Sequence, residues 1–161
     1  MLLTVLKPLV TYFKFGKDFV ENGIRCIPMI VRFKLDAVGI KLKLREWAKF
    51  NSRERNYLSV KSCNTAMEVY NYRLYLCQLI KLHTGSEATE LQIDENPAWQ
   101  IVSQVNEELL AHAELYGWTI TPGQWENLRA LQRFALLKLC REGHENKNFP
   151  IAMREFKLVD Q

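Results

Sequence analysis

Little in these 161 residues advertises chemistry. The seven glycines stand singly, so no phosphate-cradling loop of the P-loop or dinucleotide type is present. No HExxH and no GxSxG occurs, which removes the common zinc-protease and serine-hydrolase signatures. Histidine is scarce: His83, His112 and His144 lie far apart in the chain. Cysteine is limited to Cys26, Cys63, Cys77 and Cys140, with no CxxC and no Cys/His spacing of a zinc site. Such spacing reads as buried or idle thiols. An iron–sulfur or metal carrier is the alternative, with Cys26 and Cys63 as its candidate ligands. A secretory leader with a cleavage site is also missing, so reduced thiols in a cytoplasmic protein are expected. The opening MLLTVLKPLV is broken by Lys7 and Pro8 and falls well short of the ~20 apolar residues that cross a bilayer. No membrane span and no resident cofactor are expected.

What is present is ordinary material for a globular domain: 48% hydrophobic and 25% charged residues. That composition can bury a core without disulfides or metals, and residues 1–161 read as a single domain. The net charge of +4 hides an asymmetry. Residues 1–80 hold 14 basic against 6 acidic side chains, giving +8, whereas residues 81–161 hold 8 against 12, giving −4. A split of this kind suits an acidic partner for the first half, attraction between the halves, or a merely solvated surface.

The chain also repeats itself. GIKLKLREWAKFNSRERNYL at 39–58 aligns with GWTITPGQWENLRALQRFAL at 117–136. Gly39 matches Gly117, Leu42 matches Ile120, Trp47 matches Trp125, Phe50 matches Leu128, Arg55 matches Arg133 and Leu58 matches Leu136. The order predicts a glycine that ends one helix, an aliphatic plug, a tryptophan anchor and an arginine along the next helix. One such unit leaves an apolar face open that a second can cover.

Periodicity predicts an all-α fold of about six or seven helices in two related helix–turn–helix halves, after a short extended N-terminal segment in which aromatic and polar residues alternate. Ile27, Val31, Leu35 and Val38 form one helical face, with Pro28 in the first turn and Gly39 as the stop. LREWAKF is a short helix, Asn51 and Glu54 cap another, and Thr65 with Glu68 caps a long one ended by Gly85. The acidic stretch 86–97 joins the halves. Asn96-Pro97 then opens a helix carrying Trp99, Val102, Val105, Leu109 and Ala113. Thr121 and Gln124 cap the second repeat, Gly143 stops its last helix, and a further helical turn is expected near Ala152.

Two stretches are candidate partner-binding patches. In RCIPMIVR, Arg25, Cys26 and Arg32 flank Pro28, Met29 and other apolar residues, as in a basic-rimmed docking surface. In REGHENKNF, His144, Glu145, Asn146 and Asn148 form a polar run after Gly143, where helix capping is the plainer role. His83 closes a helix, where an imidazolium suits the dipole, and His112 sits on a helix face. Lys41, Lys43, Arg45, Lys49, Arg53 and Arg55 cluster around a helix–turn–helix-like passage, which raises a DNA-binding regulator as an alternative. Against it, Glu46 and Glu54 interrupt the cluster, and nucleic acid is not the expected partner.

FKFGKDFV, RCIPMIVRFKLD, GIKLKLREWAKF, ATELQIDENPAW, QWENLRALQRFALLKL and HENKNF together resemble the nitrate reductase-associated protein family, from about Phe13 to Phe156. The resemblance implies a cytoplasmic, non-enzymatic accessory or maturation factor with nitrate reductase as its partner. The reductase, rather than this protein, would carry the molybdenum cofactor and the iron–sulfur cluster. It implies no catalytic residues. Departures from the family pattern fall at Gly16-Lys17, where an acidic pair is expected, and at Arg129-Ala130, where a Thr-Pro helix start is expected.

Overall fold

The computed structural model describes residues 12–15, 26–141 and 146–160. It is mostly helical, as the periodicity predicts, with eight α-helices and one two-stranded antiparallel pair among the described residues. Two compact units divide between Ile93 and Asp94, inside the acidic stretch 86–97.

The first unit contains α1 (Met29–Val38), β1 (Ile40–Lys41), α2 (Leu44–Trp47), α3 (Ser52–Val60), α4 (Ala66–Thr84) and β2 (Thr89–Glu90). Its core gathers Val31, Leu35 and Val38 of α1 with Trp47, Phe50 and Leu58, all closed over by Tyr72, Leu76 and Ile80 of α4. Local chemistry sets the boundaries. Asn51 and Glu54 exchange hydrogen bonds of 2.9 and 2.8 Å at the start of α3, and Thr65 and Glu68 do the same for α4. Backbone N–H groups of Asn64 and Thr65 and the Ser62 hydroxyl hold the Glu68 carboxyl below its ordinary pKa.

Gly39 ends α1 at φ +69°, where a side chain would be strained. A Cβ there would also stand 2.9 Å from the Leu91 carbonyl oxygen and 2.9 Å from Ile93 Cγ1. The reason is the strand pair: Ile40 lies opposite Glu90, Lys41 opposite Thr89, and Leu91 N–H donates to the Gly39 carbonyl. The acidic stretch, expected only as a joint, therefore returns to lie along the first repeat. Gly117 has nearly the same φ, +72°, but open space around it, so its role is the turn alone.

The second unit contains a 3-10 turn at Ala98–Gln100, α5 (Glu107–Glu114), α6 (Pro122–Asn127), α7 (Ala130–Leu139), a 3-10 turn at Asn146–Asn148 and α8 (Phe149–Glu155). Here the helix expected from Asn96-Pro97 does not run through. It makes one turn, and α5 starts only after the Asn106 cap. The carbonyls of Trp99 and Ile101 are taken by side chains: Arg133 Nε donates to the first at 2.7 Å and Trp125 Nε1 to the second at 2.8 Å. These long-range bonds hold the stretch in its non-helical path between the 3-10 turn and α5. At the unusual Arg129-Ala130 start, α7 begins at Ala130, and Gln132 Oε1 accepts from Arg129 N–H at 2.9 Å. Gly143 and Gly16-Lys17 lie outside the described residues.

The matched stretches carry matching geometry position by position. Trp47 and Trp125 are both buried, as are Leu58 and Leu136. Arg55 Nη1 donates to the Phe50 carbonyl, and Arg133 Nη1 donates to the Leu128 carbonyl. Glu46 Oε2 accepts from Lys43 N–H at 2.8 Å, and Gln124 Oε1 from Thr121 N–H at 2.9 Å.

Candidate functional site

Of the first sequence-derived patch, Pro28 and Met29 are buried at the start of α1, and Cys26 and Arg32 are half-buried. Arg32 Nε donates to the Ile27 carbonyl at 2.8 Å and so ties the segment to its own helix. Among the described residues of this group, Cys26 and Arg32 reach solvent; Arg25 lies outside the described residues. In the second patch, Asn146 and Asn148 are half-buried in the turn before α8, while His144 and Glu145 lie outside the described residues.

That turn delivers Phe149 into a ring cluster. The Phe149 ring meets His112 edge-on at 4.5 Å and Tyr116 at 5.8 Å. Tyr116 stacks on Trp118 at 5.0 Å, and the Arg154 guanidinium lies 5.5 Å from the Trp118 ring. His112 Nε2 is buried with no hydrogen-bond partner among the described residues. His83 lies in the last turn of α4, as expected, and its Nε2 also sits 2.9 Å from Glu54 Oε2.

The four cysteines form no disulfide. Among the described residues no three His, Cys, Asp or Glu side chains are grouped to hold a metal ion. Burial pushes the Cys140 thiol up to about 11 and raises Cys63 and Cys77 as well, which disfavours the thiolate needed for nucleophile or ligand work.

Lys34 is the unusual titratable group. It is buried beside Tyr72, with its ammonium 5.7 Å from the ring, and donates at 2.7 Å to the Ser59 carbonyl at the end of α3. Burial lowers its pKa from 10.5 to about 8, with Cys63 opposing. Between those values the folded chain has given up a proton that the unfolded chain still holds, so this lysine makes stability rise with pH. The half-buried Cys63 and the buried Tyr72 work in the opposite sense, since both keep their protons longer when folded. The stability difference between the natural protein and Lys34→Met is therefore expected to shift in favour of the natural protein from about pH 8 upward, as read by urea denaturation across that range. A flat difference would mean that the ammonium is not buried.

The basic passage changes most on folding. Leu42, Glu46, Trp47 and Phe50 turn inward, which leaves Lys41, Lys43, Leu44, Arg45, Lys49 and Arg53 on the solvent side. The only carboxylates between 41 and 55 are Glu46 and Glu54, and neither interrupts the surface. Glu46 is 5% exposed and bonds Lys43 N–H; Glu54 bonds Asn51 N–H and His83. Lys41, Lys43, Arg45, Lys49 and Arg53 form no ion pair or side-chain hydrogen bond among the described residues. Sequence reading missed this because a carboxylate in a basic run looks like a solvent charge until its capping role is seen.

Residues 12–156 match the family model of the conserved nitrate reductase-associated protein. The chain belongs to that family. No curated protein and no solved structure matches it. The family's description ties its members to nitrate reductase, and the match spans both units. No helix among the described residues is long and apolar enough to cross a membrane.

Proposed function

We propose that this protein is a non-enzymatic accessory factor required for active assimilatory nitrate reductase. It acts in the cytoplasm by protein–protein contact while the reductase receives its cofactor or cluster. The observation that carries this reading is membership of the nitrate reductase-associated family over residues 12–156. The chemistry of the chain is consistent with a contact role. The thiols of Cys63, Cys77 and Cys140 are raised by burial, and the unpaired cations of residues 41–53 stand on the solvent side. Cys26 and Arg32 on one patch, and Asn146 and Asn148 on the other, are proposed contact residues, together with Arg25, His144 and Glu145. Pro28 and Met29 support the first patch from below.

The test is to purify nitrate reductase from cells with and without this protein. Reductase made without it is expected to be low in activity and short of molybdenum cofactor or cluster, with its polypeptide present. Full activity and full cofactor and cluster content would end the maturation reading.

A further inference from the structure

The repeat supplies its own control for the basic passage. The buried framework is the same in both copies: tryptophan, arginine, and a capping side chain that accepts from the backbone. Where the first copy caps with Glu46 and Glu54, the second caps with the neutral Gln124 and Gln132. Where the first copy carries the exposed Lys41, Arg45, Lys49 and Arg53 and the half-buried Lys43, the second has Thr119, Gly123, Asn127, Leu131 and, matching Lys43, Thr121. The repeat framework therefore forms in the second copy with no cation at these five positions. Clustering unpaired like charges costs self-repulsion, and no described carboxylate within the passage offsets it.

We infer that the solvent side of β1, α2 and the start of α3 is a docking surface for an acidic face of a partner protein, seated around Leu44. Leu44 is 47% exposed and stands in the chain between Lys43 and Arg45, giving a small apolar contact flanked by positive charge. Such rims act mainly on encounter rate and salt dependence, with the apolar centre adding lifetime. A protein fits better than a nucleic acid. α2 is only four residues long and presents leucine and arginine, not a row of polar base-reading side chains. The inference deepens the proposed function and rests on it for the partner's identity, which is the reductase.

Two variants bracket the surface. Arg45→Gln, Lys49→Gln and Arg53→Gln combined removes three cations whose side chains make no ion pair or hydrogen bond among the described residues. Glu46→Gln keeps the cap, as Gln124 does in the second copy, and adds one unit of positive charge. Each full-length protein is titrated with purified nitrate reductase, with a leucine-containing polyglutamate peptide, and with random-sequence duplex DNA, at several salt concentrations. Circular dichroism checks that the variants stay folded.

Natural protein is expected to bind the reductase in a salt-sensitive manner. The triple variant should lose on the order of thirtyfold in affinity, and Glu46→Gln should gain about two- to threefold, as electrostatic surfaces of this size behave. If the reductase binds natural protein and triple variant alike, the surface is overturned and the proposed function stands. If the reductase fails to bind but the acidic peptide binds and depends on the three cations, the surface stands and the reductase is the wrong partner. Binding of neither overturns both. Tighter binding to DNA than to peptide, lost in the triple variant, overturns the protein docking surface in favour of nucleic acid. Self-association that the triple variant abolishes overturns it in favour of a second copy.

Discussion

Trp125→Ala is expected to cost about 5 kcal/mol, close to the whole stability of a unit of this size. The indole is fully buried, and its removal leaves a cavity between α6 and the core that short helices cannot close. Large aromatic truncations of this kind cost ~3–5 kcal/mol through lost transfer and residual cavity. A second loss adds to it. Trp125 Nε1 donates to the Ile101 carbonyl at 2.8 Å, and that carbonyl belongs to the non-helical stretch between the 3-10 turn and α5. Without the indole, nothing described replaces that bond. Trp125→Phe keeps most of the ring volume and loses the donor, so it should cost about 2 kcal/mol. Urea denaturation of the full chain, read by the remaining tryptophans, gives both numbers. Equal costs for the two variants would show that ring volume does not matter and that the hydrogen bond alone sets the effect.

The elements legible in the sequence are those whose determinants lie within one turn. Asn51 with Glu54, Thr65 with Glu68 and Thr121 with Gln124 each announce a helix start because both partners are three residues apart. Gly39 and Gly85 announce stops for the same reason. The failures are non-local. Residues 97–106 carry helix-compatible spacing, but their fate is decided by Trp125 and Arg133, far along the chain. The pairing of Ile40–Lys41 with Thr89–Glu90 is too short to leave an alternating pattern. At the candidate site the same rule holds. The basic residues were visible, but the inward turn of Glu46 and Glu54 depends on caps and on His83, and only geometry joins them. His112 read as an ordinary helix-face residue because Phe149, which covers it, comes from another helix.

Arg133→Met is expected to cost about 3 kcal/mol, and Arg55→Met only about 1 kcal/mol, although the two arginines occupy matching positions. Arg133 is 8% exposed, and burial lowers its pKa, a sign of a guanidinium drawn out of water. It is tolerated because its donors are used in two directions: Nη1 to the Leu128 carbonyl and Nε to the Trp99 carbonyl. Methionine fills much of the volume but leaves both carbonyls without that partner, the buried one of Leu128 and the part-buried one of Trp99, and a buried orphan costs roughly 1–3 kcal/mol. Arg55 is half-buried and repeats only the first of these bonds, at 2.7 Å to the Phe50 carbonyl. The difference between the two variants thus measures the tie between α7 and the 3-10 turn at Ala98–Gln100. Lysine should not rescue position 133, since a single ammonium cannot reproduce the planar fork that spans two carbonyls. Arg133→Lys is therefore expected to lie within about 1 kcal/mol of Arg133→Met in urea denaturation. Full rescue by lysine would assign the effect to charge rather than to geometry. It would also mean that something other than the arginine fork keeps residues 97–106 from the helix their spacing allows.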